Sequence, residues 1–121
     1  VSETKDLERG NYVGYDLTHR VSRKTNMAVL PVGYWHGFPR ALSDTGSILV
    51  RGEPRKVIGR VSMDLLSLDM NGRSCRVGDI VTLIGRDKKG NLRAADVAKQ
   101  ARTTHYELLT RINPLIERVV R

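Results

Sequence analysis

The chain has 121 residues, 40% hydrophobic and 28% charged, a balance that suits one globular domain with a single modest core and excludes a disordered chain. No apolar run approaches the roughly 20 residues a membrane-spanning helix needs, and the opening VSETKDLERG is too polar for a secretion signal. The net charge of +8 predicts attraction to anions, while the lone Cys75 leaves no intrachain disulfide and no cysteine-based zinc site, in keeping with a reducing, cytoplasmic setting.

The start at Val1 rather than Met points to a piece of something longer. Short runs rich in Val, Ile and Leu, separated by Gly, Asp, Asn or Ser, predict strands. They fall at 12–18 (YVGYDLT), 27–34 (MAVLPVGY), 47–50 (SILV), 56–63 (KVIGRVSM), 65–70 (LLSLDM) and 79–85 (DIVTLIG). MNGR at 70–73 holds the Asn-Gly pair of tight hairpin turns, and KKGN at 88–91 offers Gly90 for a positive φ. AADVAKQA at 94–101 carries Ala, Val and Ala at helical spacing. Thr104, with Glu107 three residues on, matches a capping box ahead of Leu108, Leu109 and Ile112. The closing INPLIERVV reads as a returning strand with Pro114 near its start. Together these predict a mainly β fold: one small β-barrel-like domain over residues 1–121, with two short helices near the C-terminus.

Chemistry-bearing residues are sparse. His19, His36 and His105 are isolated from one another, so no metal site is expected and each ring is read as exposed or hydrogen-bonded. Arg73 and Arg76 flank Cys75 at the entry of a strand and favour a thiolate, but no base lies beside it, and a half-buried structural cysteine is expected. There is no nucleophile elbow and no glycine-rich phosphate loop, so the chain does not read as a self-sufficient enzyme. Tyr15 and Tyr34 each follow a glycine at the end of a Val-rich strand, where close backbone approach leaves a hydroxyl accessible; the plainer reading is tyrosine filling the rim of a β core. Arg60 and Asp64 interrupt the apolar run GRVSMDL at 59–65, and alternation alone places both on a wet sheet face.

The ordered set YVGYD (12–16), AVLPVGYWHGFPR (28–40), GRVSMD (59–64), VGDIVTLIG (77–85) and TTHYELLTRINPLIERV (103–119) resembles the C-terminal domain of the alanine racemases. The resemblance runs along nearly the whole chain. It implies a pyridoxal 5′-phosphate enzyme that interconverts L- and D-alanine, a supply route for peptidoglycan. The cofactor lysine would sit on an N-terminal (β/α)8 barrel absent from this chain, which by itself is then expected to hold no cofactor and to be inactive. Family members form head-to-tail homodimers, so the expected partners are the barrel of the same protein and that of a second subunit, with an amino acid as substrate and neither nucleic acid nor membrane. Inverting a stereocentre needs a base on one face and an acid on the other. The resemblance makes Tyr15, of the Val13-Gly14-Tyr15 motif, the catalytic tyrosine that reaches into the partner's site. It makes Met63 a substrate-carboxylate contact through its backbone N–H, Asp64 a catalytic-site residue that orients the site, and Tyr34, Arg40 and Arg60 the wall of the substrate corridor. Tyr106 would stand at the inner gate near the cofactor phosphate of its own chain.

Four positions depart from patterns seen in the family: Trp35 and His36 stand in place of the common Ala-Asp, Ser62 where some members have Cys, and Glu117 where many have Pro. Two other readings are open. The surplus of basic residues on a small β-barrel suits a stand-alone module for RNA or another polyanion, although aromatics are only 5% of residues and give few stacking platforms. The parent could also be a serine or lysine racemase, or a paralogue without activity.

Overall fold

The computed structural model describes residues 1–14 and 16–121. Its strands are β1 (Glu3–Leu7), β2 (Tyr12–Val13), β3 (His19–Arg20), β4 (Thr25–Leu30), β5 (Ser47–Val50), β6 (Glu53–Ile58), β7 (Leu66–Asp69), β8 (Val81–Thr82), β9 (Gly85–Asp87) and β10 (Gly90–Leu92). The helices are α1 (Ala94–Gln100) and α2 (His105–Thr110), and two 3₁₀ turns, Tyr34–His36 and Arg40–Leu42, lie between β4 and β5. The main sheet is six-stranded and antiparallel, in the order β1-β4-β7-β6-β5-β8. It curls into a half-barrel whose ends, β1 and β8, do not pair; Gly78 N–H reaches across to the Val1 carbonyl at 2.9 Å just before β8.

The core follows from alternation. Ala28 and Leu30 of β4, Ile48 of β5, Val57 of β6 and Leu66 and Leu68 of β7 are all at most 2% exposed and turn to one face, where Phe38, Leu42, Val97 and Leu108 cover them. Each such side chain contributes about 1.5–3 kcal/mol by leaving water. On the other face Ile58 meets Leu7, Val13 and Val21, and this small cluster seats the β2–β3 hairpin on the sheet.

Several expected elements change. Among the described residues of the run at 12–18, strand is confined to Tyr12–Val13, and Gly14 turns the chain at φ 91°. The run at 27–34 ends as strand at Leu30 before Pro31, so Tyr34 opens a 3₁₀ turn instead of ending a strand. The run at 56–63 leaves the sheet after Ile58, which puts Arg60 and Asp64 on a loop and not on a wet sheet face. Cys75 is likewise in coil and half-buried, and its thiol is pushed up from its ordinary pKa by burial and by the negative Asp79, against the expected pull of the arginines.

Asn71 and Gly72 do take positive φ, and Arg73 N–H closes the turn on the Met70 carbonyl at 2.9 Å, but no hairpin partner follows. Gly90 is absent from the positive-φ positions; Lys88 takes that conformation, and a Cβ on Gly90 would strike the Gly52 carbonyl. The closing segment is not a strand. Asn113 Oδ1 accepts the Leu115 N–H at 2.9 Å, Pro114 offers no donor, and Val119 and Val120 lie exposed.

Candidate functional site

At one end of the half-barrel, loops that are far apart in sequence meet around a cleft of about 560 Å³. Its lining includes Gly14, Tyr34, Arg60, Met63 and Asp64. Two glycines make this convergence possible. Gly14 sits so close to the backbone of Gly59 and Arg60 that an added Cβ would lie 3.3 Å from Gly59 Cα and 3.2 Å from Arg60 N. Gly33 is pressed against Ser62–Asp64, where a Cβ would collide with the Ser62 carbonyl.

The 3₁₀ turn after Gly33 is tied to that loop by its own backbone. Tyr34 N–H donates to Ser62 O at 3.0 Å and Trp35 N–H to Met63 O at 2.9 Å. Ser62 then folds the loop on itself, its hydroxyl accepting the Leu65 N–H at 3.0 Å while its backbone N–H donates to Leu65 O at 3.0 Å. Met63 is half-exposed, and among the described residues its N–H and that of Asp64 donate to no protein oxygen. A pair of adjacent backbone donors at a cleft wall suits a carboxylate. Among the described residues Arg60 is the only cation lining the cleft, and its guanidinium pairs with Asp16 at 2.7 Å.

Tyr34 also lines a second cleft, of about 450 Å³, on the other side of the same turn. Arg40, Arg102 and Arg111 line it with one acid, Glu107, which is 3.5 Å from Arg111. Tyr34 and Arg40 thus share one wall, and Tyr34, Arg60, Met63 and Asp64 share another. Tyr106 joins neither: it is 72% exposed on α2, its ring centroid 4.1 Å from that of His105. Tyr15 lies outside the described residues.

Sequence reasoning passed over the residues that hold these loops. Asp44 Oδ1 accepts the Gly59 N–H and meets His19 Nδ1, both at 2.8 Å, and Ser43 Oγ accepts the Val61 N–H at 2.9 Å. Arg102 carries no signal in the sequence, and Asp16 stands in the YVGYD motif with no role of its own to read. An Asp in a turn is too common a signal to single out, and only the fold shows what its carboxylate reaches.

The fold and its end cleft define a class, an antiparallel β half-barrel that presents a polar wall built from loops. The model of the family described as "Alanine racemase, C-terminal domain" matches residues 1–120, and the chain belongs to that family. An alanine racemase of Leptospira interrogans is 40% identical over 111 residues, 91% of this chain and 28% of that protein. The alanine racemase of Bacillus anthracis with bound L-Ala-P superposes with a TM-score of 0.87 at 31% identity, over 93% of this chain and 28% of that one. That of Bartonella henselae, with covalently bound pyridoxal phosphate, superposes at 0.90 with 27% identity, over 98% of this chain and 33% of that one. The chain therefore spans about a third or less of these relatives. Among the described residues no lysine lines the end cleft, so this chain alone does not fit a lysine-held pyridoxal phosphate. Among the described residues no helix is long and apolar enough to cross a membrane.

Proposed function

We propose that this chain is the C-terminal part of a pyridoxal phosphate-dependent alanine racemase, and that its end cleft completes an active site whose cofactor lysine lies on a barrel outside this chain. The observation that carries the reading is the meeting of Gly14, Tyr34, Arg60, Met63 and Asp64 on one cleft in a member of this family. The cofactor, when bound, supplies the electron sink that makes the substrate's α-proton removable. What this chain adds is binding and proton transfer.

Met63 N–H takes the substrate carboxylate, with Asp64 orienting the loop. Tyr15, the residue after Gly14, exchanges the proton on one face of the substrate. A phenol with an ordinary pKa near 10 is a weak base at neutral pH, so the reading calls for positive charge or a hydrogen-bond relay beside the hydroxyl. Tyr34, Arg40 and Arg60 form the corridor, whose positive charge draws the substrate in by its carboxylate. Tyr106, exposed on α2, is free to meet the barrel of its own chain near the cofactor phosphate. A head-to-tail pair of subunits places each cleft on the partner's barrel. The product, D-alanine, would serve peptidoglycan synthesis in the cytoplasm.

The test is hydrogen exchange at the α-carbon in the full-length protein, this chain joined to its barrel. Tyr15→Phe is expected to slow exchange from one enantiomer by about 10²–10⁴-fold and leave the other close to wild type. Normal exchange from both would remove Tyr15 from the reaction. Turnover of serine or lysine in place of alanine would keep the family and change the substrate, while salt-sensitive RNA binding without racemisation would support the polyanion module instead.

A further inference from the structure

His36 takes no part in the walls described above, yet it closes the turn that carries Tyr34. Its Nδ1 accepts the Gly33 N–H at 3.1 Å, linking the end of the 3₁₀ turn to the residue that begins it. The bond requires a neutral ring with a bare Nδ1. A proton there turns the acceptor into a donor facing a donor.

This bond sits at the centre of a clamp. On one side, Gly33, Tyr34 and Trp35 are held to the Ser62–Asp64 loop by close backbone packing and by the two N–H bonds to Ser62 O and Met63 O. On the other, Asn113 N–H donates to His36 O at 3.2 Å and Asn113 Nδ2 to Trp35 O at 3.0 Å, while Gly37 rests on the backbone of Arg111 and Ile112. The half-buried His36 ring meets Trp35 edge-on, with centroids 4.9 Å apart. The charged groups facing its groove are Arg86 of β9 and Glu117 of the C-terminal segment; β8, α1 and α2 add only Val81, Thr82, Val97 and Leu108, and Tyr34 is the titratable neighbour on its own turn.

We propose that His36 is a positioning residue for substrate binding: the neutral imidazole locks the turn that sets Tyr34 against the Met63 loop, and protonation unlocks it. Substrate affinity then weakens in acid while the proton-transfer step does not. The kinetic half of this inference rests on the racemase reading, and the hydrogen bond itself does not.

The experiment has two readouts on the full-length protein. With ¹⁵N-labelled histidine, the ring signals missing from His36→Asp identify His36, and they are expected to show the neutral Nε2–H tautomer at mildly alkaline pH. In kinetics, KM of the wild type is expected to rise about five-fold more than that of His36→Asp between mildly alkaline and mildly acidic pH, with parallel kcat profiles, as for the loss of one ordinary hydrogen bond. The Asp carboxylate is an acceptor that stays ionised over that range. Should His36→Asp fold poorly, His36→Asn supplies an acceptor that does not titrate and is expected to give the same flat KM profile.

An Nδ1–H tautomer, or superimposable KM profiles for the wild type and both variants, would overturn the proposal. A protein with the Nε2–H tautomer but no racemase activity would refute the racemase reading and leave the latch standing.

Discussion

Asp44 Oδ1 holds both the Gly59 N–H and His19 Nδ1 at 2.8 Å, so one carboxylate fixes the loop that presents Arg60 and the hairpin that carries Gly14. Its side chain is 37% exposed, which discounts the pair, and Asp44→Ala is expected to cost about 1–2 kcal/mol in urea denaturation. Two glycines separate steric from conformational cost. Gly33 has extended backbone at φ −156°, so Gly33→Ala pays only for the collision with Ser62 O, backbone against backbone, and is expected to cost about 3 kcal/mol or to prevent folding. Gly72 has open space around it but φ 74°, so Gly72→Ala is expected to cost about 1 kcal/mol, all of it backbone strain. Equal losses for these two variants in the same denaturation series would mean that the close approach at Gly33 is not made.

At the scale of elements, α2 shows how a local signal survives folding. Thr104 Oγ1 accepts the Glu107 N–H at 3.3 Å, the forward half of the capping box its sequence announced. The helix has only six residues, too few to hold itself in water, and Thr104→Ala is expected to cost about 1 kcal/mol and to speed hydrogen exchange at Leu108. SILV is β5 residue for residue: a short apolar run with two β-branched residues, bounded by Gly46 and Arg51, has the length of a buried strand and is too short for a helix. By contrast β1, ETKDL, left no trace: its four leading residues are exposed and its strand state comes from pairing with β4, which the side chains do not advertise. The closing INPLIERVV fails for the converse reason, as an apolar pattern that gains no strand partner among the described residues.

At the scale of the molecule, the seam where the sheet's two ends approach one another titrates. The Arg76 N–H and then the Arg51 guanidinium hold Asp79 below the ordinary carboxylate range, and burial with the Asp79 charge pushes Cys75 above the ordinary thiol range. A carboxyl group lowered in the folded state stabilises above its unfolded pKa, and that stability is lost as pH falls through the folded value. A thiol raised in the folded state favours folding below its unfolded pKa, and that contribution is lost as pH rises through the folded value. Thermal midpoints measured from about pH 3 to about pH 10 should therefore fall at both ends. Asp79→Asn is expected to flatten the acid limb and Cys75→Ala the alkaline one; an acid limb unchanged in Asp79→Asn would place the titrating group elsewhere.

The same division runs through the candidate site. The sequence by itself determined a mainly β domain with two late helices, because alternation and turn residues are local and survive being read in one dimension, and its resemblance to the alanine racemases marked Tyr34, Arg60, Met63 and Asp64. Only the tertiary structure decided that these four residues share one cleft with Gly14, that Arg40 belongs to the neighbouring one, and that Tyr106 joins neither. It alone gave Asp44, Asp16 and His36 their contacts, since each acts through a hydrogen bond or ion pair whose partner is set by the fold: Asp44 to Gly59, Asp16 to Arg60, and His36 into a turn clamped between residues 62–64 and 113. Backbone donors and acceptors have no letter in a sequence, and their partners are fixed only when loops distant along the chain are packed together.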